Sequence, residues 1–345
     1  TIDAGKDVRN AVVELKNEGA EKLILDVRGN PGGLLMEAVN ITNVFLPKGK
    51  EVVSTKGKIS DNNQMYKTLN QPVDTDIPLV VLINSGSASA SEIVAGTLQD
   101  YDRAVIVGNK SFCKGLVQIT RPLTYNSQLK VTTAKYYTPS GRCIQALDYS
   151  HRNEDGSVGK VPDSLKTVFK TKNERNVYDG GGIDPDVSVG KETMSPVAYS
   201  LYSKGHIFDF ATHYYYTNPN VASAKDFSLT DAEYAQFKRW LSNKDYSYTT
   251  QVEKNLQRLK ESALEEKYYN EIKEDLYALK DEIHNSKAND LEDFKSQIKT
   301  LLEEDIVSRY YLEKGAIESS FDEDQDIEMA IKVLNNAEDY KHILA

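Results

Sequence analysis

The chain reads as an α/β core followed by an α-helical C-terminal region, with the change near residue 190. Three observations predict this. Short aliphatic runs at 22–27, 78–84 and 104–108 are bounded by turn residues, as buried strands are. Helical patterns separate them, which is the order of βαβ crossovers in a layered core. Beyond about residue 195, capping-box spacings and amphipathic stripes replace the aliphatic runs. The expected domains are therefore 1–190 and 191–345.

Each element follows from local pattern. Val8, Val12, Val13 and Leu15 recur at helical spacing and stop at Gly19. The strand at 22–27 leads into a turn, Asn30-Pro31-Gly32-Gly33. A helix over 34–45 follows, stopped by Pro47-Lys48-Gly49. The strand at 78–84, a small-residue loop at 85–90 and a helix at 91–99 repeat that order. A third strand at 104–108 precedes hairpin-like segments at 116–122 and 127–137. Residues 148–178 are polar and read as a surface excursion, and 180–185 as a glycine-rich turn into Val187-Ser188-Val189. In the C-terminal part, Thr230 with Glu233 and Thr250 with Glu253 have capping-box spacing. Phe294, Ile298, Leu301, Ile306 and Tyr310 form a stripe of the kind that packs a helical core.

Bulk properties narrow the function. A chain of 345 residues can bury a sizeable core. A formal net charge of −10 argues against nucleic acid as a partner, since phosphate binding needs a basic surface. Two cysteines, Cys113 and Cys143, cannot frame a disulfide scaffold or a zinc site. No apolar run approaches membrane-spanning length. The chain begins Thr1-Ile2-Asp3, without a signal-like stretch, and reads as processed or trimmed.

Three segments can carry chemistry. In the first, Asp26 to Gly33, adjacent glycines before a helix can aim backbone N–H groups into a cleft, as an oxyanion hole requires; a plain tight turn has the same residues. In the second, Gly86 to Glu92, Ser89 lies between alanines where a buried strand gives way to a helix. A nucleophilic serine needs such an elbow, although a serine-rich helix cap looks the same. In the third, Ser111 to Gln118, Lys114 sits beside Gly115 between apolar strands. Burial disfavours an ammonium, which lets a lysine take a proton from a serine hydroxyl; most lone lysines are merely solvated. Gln118, four residues on, can face the same way and accept a hydrogen bond from the amine. His151, His206, His213, His284 and His342 all fall outside these segments, so a Ser–His–Asp triad would have to be assembled across domains. No metal-ligand cluster or nucleotide-binding glycine loop is evident.

These segments, with Thr132 to Arg142 and Gly182-Ile183-Asp184-Pro185-Asp186, closely resemble the carboxy-terminal processing (tail-specific) proteases. Five separated motifs occur in family order over roughly residues 1–190. The resemblance implies a Clp-protease/crotonase-like ββα core, with Ser89 as nucleophile, Lys114 as general base and Gln118 holding the lysine. It implies oxyanion donors at the backbone of Ala90 and of Gly32 or Gly33, and a structural role for Asp100. Neither cofactor nor metal is implied. The implied partners are protein or peptide substrates, cut near their C-termini, with a homo-oligomer possible. The implied location is extracytoplasmic, in the periplasm or cell envelope.

The chain departs from the family pattern twice. No segment ahead of the first motif reads as the PDZ domain that captures a substrate carboxylate. Cys113 stands where the family has glycine before the lysine, so its side chain is expected to shift Lys114 or obstruct it. Cys113 and Cys143 both flank motifs, which raises the expectation of a redox-sensitive bond between them. The rival readings are a non-catalytic peptide- or ligand-binding descendant of the fold and a crotonase-like acyl-CoA enzyme.

Overall fold

Four short strands build the central sheet of the computed structural model, which describes residues 2–152, 158–160, 162, 164, 166–190 and 193–345. The chain divides into two units, Thr1–Lys191 with Gln325–Ala345, and Glu192–Asp324. This differs from the expected single cut at residue 190, because the last two helices belong to the first unit.

The first unit runs α1 (Ala4–Asn17), β1 (Leu23–Asp26), α2 (Leu35–Phe45), β2 (Glu51–Gly57), β3 (Gln64–Lys67), β4 (Leu79–Ile83), α3 (Ala90–Asp100), β5 (Val105–Gly108), β6 (Leu116–Pro122) and β7 (Gln128–Tyr137). It continues with β8 (Leu147–Arg152), β9 (Val158–Lys160), β10 (Val168–Lys170), β11 (Asn176–Tyr178) and β12 (Val187–Ser188). The aliphatic runs become the parallel sheet β1-β4-β5-β12. A second, antiparallel sheet has the strand order β3-β2-β7-β6. The β2–β3 hairpin had no counterpart in the sequence reading. The polar excursion contains two two-stranded ribbons, β8–β9 and β10–β11; Asn153 to Gly156 lies outside the described residues.

Side-chain alternation along β4 explains why its sequence is aliphatic throughout. Leu79, Val81 and Ile83 pack in the cluster that holds Val39 and Phe45 of α2 and Ile93 and Leu98 of α3. Val80 and Leu82 pack in a second cluster with Ala330, Val333 and Leu334. Those three residues lie on a late helix that returns to cover the sheet.

The second unit holds α4 (Pro196–Ser203), α5 (His206–Thr217), α6 (Asp231–Leu241), α7 (Gln251–Glu265), α8 (Tyr269–Lys287), α9 (Asp290–Asp293) and α10 (Lys295–Ser320). Both capping boxes form. Thr230 N–H donates to Glu233 at 2.8 Å and Thr250 N–H to Glu253 at 2.6 Å, with the threonine hydroxyls accepting in return. Ile298 and Ile306 of the expected stripe are fully buried with Phe237 and Tyr234, whereas Phe294 is exposed. The returning helices are α11 (Gln325–Asn335) and α12 (Ala337–Ile343), and the Tyr340 hydroxyl of α12 accepts the Leu79 N–H at 2.9 Å.

Lys16, in the last turn of α1, pairs with Asp74 in the segment before β4. Burial alone would raise the Asp74 carboxyl, but the Lys16 bond and the Ile77 and Asp76 N–H groups outweigh it and lower the pKa from 3.8 to about 2. A depressed carboxylate stabilises the fold above its unfolded pKa, and that contribution is lost as pH falls through the folded value. Asp74→Asn is expected to flatten the stability–pH profile between about pH 4 and 2, read by denaturant unfolding at each pH. An unchanged slope would exclude this pair as a contributor.

Candidate active site

Two loops meet at the ends of β1 and β4. The Asn84 side-chain oxygen accepts the N–H groups of Gly29 and Gly86, both at 2.9 Å. Ser87 Oγ donates to Val27 O at 2.7 Å, and Asn30 O accepts from Ala88 N–H and from Ser91 Oγ, each at 3.0 Å. The backbones approach so closely that a Cβ on Gly32 would lie 2.5 Å from Ala88 O and 2.6 Å from Ala90 N. Gly32 also has φ +87, so both space and backbone conformation demand glycine there.

Ser89 occupies the elbow between β4 and α3 at φ 56, ψ −111. A non-glycine residue is strained in this region, and such strain is held in place by its surroundings. The buried Ala88 and Ala90 leave room on either side. Ser89 Oγ lies 2.8 Å from the Tyr136 hydroxyl. Ala90 N–H, the first of α3, has no acceptor among the described residues, and neither has Gly33 N–H. Gly32 N–H donates to Asn30 Oδ1 at 2.9 Å. Of the two glycines, Gly33 is therefore the one with a donor to spare. A cleft of about 80 Å³ is lined by Asn30, Gly32, Gly33, Leu34, Ala90 and Val94.

The loop bearing Lys114 is joined to the elbow through Glu92, which is fully buried. Its Oε2 accepts Ser89 N–H and Lys114 N–H, both at 2.9 Å. Its Oε1 accepts Cys113 N–H at 2.7 Å and Ser111 Oγ at 2.5 Å. Burial pushes the Glu92 carboxyl up, and these four hydrogen bonds oppose the shift. Ser111 Oγ also accepts Ile183 N–H at 2.7 Å, which attaches the 180–185 turn.

The site thus gathers Ser89, Ala90 and Gly32 and holds the Lys114 backbone on the same carboxylate as Ser89. The half-buried Lys114 side chain makes no hydrogen bond to Ser89. Gln118 does not reach Lys114 either. It is exposed on β6, and its amide donates to Thr132 Oγ1 at 3.4 Å. Asp100 lies at the far end of α3, in a buried pair with Arg142 at 2.8 Å that also receives Ser140 N–H.

Cys113 takes a left-handed conformation, at φ 77, and its N–H donates to Glu92. Its thiol donates to Ser111 O at 3.2 Å and lies against Gly182, where a Cβ would come within 2.7 Å of Sγ. Neither cysteine is in a disulfide, so the expected bond between them is not formed. Burial pushes the Cys143 thiol up. Among the described residues no group of three or more His, Cys, Asp or Glu side chains could hold a metal.

Glu92 and Tyr136 were quoted within motifs in the sequence but given no role. Glu92 stands three residues after Ser89, the spacing at which a side chain returns to a helix N-terminus, and that was its available signal. Nothing local marks Tyr136, which reaches Ser89 only through the folding of β7.

The site is a strained serine elbow with unpaired amide donors, on a mixed α/β core followed by helices. The profile of "Peptidase family S41" matches residues 2–150, and "Probable PDZ-protease, C-terminal helical domain" matches residues 197–334. Residues 2–150 are thus similar to peptidase family S41, and that match covers less than half of the chain. A carboxy-terminal-processing protease of Bartonella bacilliformis is 48% identical over 142 residues, covering 41% of this chain and 32% of that protein. A probable CtpA-like serine protease of Staphylococcus aureus is 36% identical over 212 residues, covering 61% and 41%. The structure of the photosystem II D1 C-terminal processing protease aligns with TM-score 0.42 and 30% identity over 56% of this chain and 41% of that one. The chain spans about a third to two fifths of the length of these curated relatives.

Replacing the Glu92 carboxylate by an amide turns one accepting oxygen into a donor facing other donors. Glu92→Gln is expected to cost roughly 2–4 kcal/mol in urea unfolding; a variant as stable as wild type would refute this account. At Cys113, glycine is expected to stay within about 1 kcal/mol of wild type. Cys113→Val is expected to lose at least ~1 kcal/mol, because a branched Cβ fits the left-handed region badly.

Proposed function

We propose that the chain hydrolyses peptide bonds of protein substrates through an acyl-enzyme formed on Ser89, with Lys114 as its base. The observation that carries this is the strained Ser89 elbow, bearing the unpaired Ala90 N–H and tied by Glu92 to the backbone of Lys114. In this reading the Lys114 side chain rotates toward the elbow and its uncharged amine accepts the Ser89 proton. Oγ attacks the carbonyl, the Ala90 and Gly33 N–H groups hold the oxyanion, and the ammonium returns the proton to the leaving amine. Gln118 would have to leave Thr132 to orient that amine.

Cleavage near substrate C-termini and an extracytoplasmic location in the periplasm or cell envelope belong to the same proposal. The first is supported by the name of the Bartonella relative, a carboxy-terminal-processing protease. No helix among the described residues is long and apolar enough to cross a membrane.

A second reading, a non-catalytic peptide binder, is favoured by the absence of a Lys114–Ser89 hydrogen bond. Casein cleavage separates the two. Ser89→Ala is expected to lower the rate at least ~10³-fold and Lys114→Ala ~10²–10⁴-fold, with both variants folded. Turnover by Ser89→Ala at the wild-type rate would overturn the proposal.

A further inference from the structure

The one hydrogen-bond partner of the Tyr136 phenol among the described residues is Ser89 Oγ, at 2.8 Å. Tyr136 is 6% exposed, and burial together with the nearby Glu92 charge pushes its phenol up despite the Ser89 bond, so the hydroxyl keeps its proton. Either oxygen can donate in this pair, but a buried O–H needs an acceptor, and among the described residues the serine oxygen is the one in reach of the phenol. With the phenol donating, Ser89 accepts. That direction leaves the Ser89 proton available to a base instead of spending it on Tyr136. The backbone of Tyr136 is fixed on the opposite component: its N–H donates to Gly115 O at 3.0 Å, one residue past Lys114.

We propose that Tyr136 is a further catalytic residue, whose hydroxyl holds the serine oxygen by donating to it and stabilises charge on that oxygen during the reaction. The inference rests on the serine-peptidase reading. Negative charge builds on Oγ when its proton passes to Lys114 and Oγ forms the new bond to the substrate carbonyl carbon. It builds again when water has added to the ester carbonyl, giving a proton to neutral Lys114, and the Oγ–carbon bond breaks, after which Oγ takes that proton from the Lys114 ammonium. A hydrogen bond to an ionised oxygen is about twice as strong as one to a neutral oxygen, so the phenol stabilises these moments more than the resting enzyme.

The test is the rate at which a small fluorophosphonate labels Ser89, followed by intact mass, alongside kcat and KM for a peptide substrate. Tyr136→Phe keeps the ring and removes the donor. It is expected to slow labelling and kcat about 10- to 100-fold, with KM changed less than about threefold. A 3-fluorotyrosine placed at position 136 keeps the donor and is expected to label within a few-fold of wild type. A Phe variant that labels at the wild-type rate or faster overturns the proposal, as does a fluorotyrosine enzyme as slow as the Phe variant. Should Tyr136→Phe not fold, the fluorotyrosine comparison decides alone. Failure of the wild type itself to label at Ser89 overturns the peptidase reading and this inference with it.

Discussion

The site depends on one buried carboxylate. Glu92 presents two oxygens and receives four donors, two of which are the backbone amides of Ser89 and Lys114. It ties the elbow to the loop that follows β5, a connection that the Phe112 N–H to Ser87 O bond at 3.0 Å also makes. Removing a carboxylate from water is costly and is offset only when its lone pairs are filled. Here they are filled by groups that must be immobile for Ser89 and Lys114 to keep their relative positions. The same bonds retain Ser89 in a backbone conformation that an isolated peptide would avoid.

Close backbone contact is the second constraint. Strands of a parallel sheet end side by side, so the loops after β1 and β4 share one edge and must pass within van der Waals distance. Gly32 fits there because any Cβ would strike the peptide that links Ala88 to Ala90. The contact brings the glycine turn beside the serine elbow, where the Ala90 and Gly33 N–H groups, in residues that line the cleft, have no acceptor among the described residues. Cys113 shows the same economy in a different form. A side chain occupies a glycine-like backbone position because Gly182, across the turn, provides the space for its sulfur.

Much of this was legible in the chain. Aliphatic runs, turn glycines and capping pairs are local signals, and β1, β4, β5, α3 and the caps of α6 and α7 follow from them. The motif order pointed to Ser89, Ala90 and the glycine turn. What was not legible depends on distance in sequence. Tyr136 lies 47 residues from Ser89 and meets it across two sheets of the core unit. Gln118 sits at a spacing that permits contact with Lys114, but strand pairing turned its amide to Thr132 instead. Cys113 and Cys143 both flank motifs, yet both are free thiols.

The amino-acid order by itself determined which segments are strands and helices and where the serine elbow falls, because those features are set by side-chain periodicity and by residues that tolerate tight turns. Only the tertiary structure decided how Glu92 is used, which oxygen the Tyr136 phenol meets, and that α11 covers the outer face of β4. Those outcomes rest on contacts between residues far apart in the chain, and burial and hydrogen-bond satisfaction select them only once the sheets and helices have been brought together.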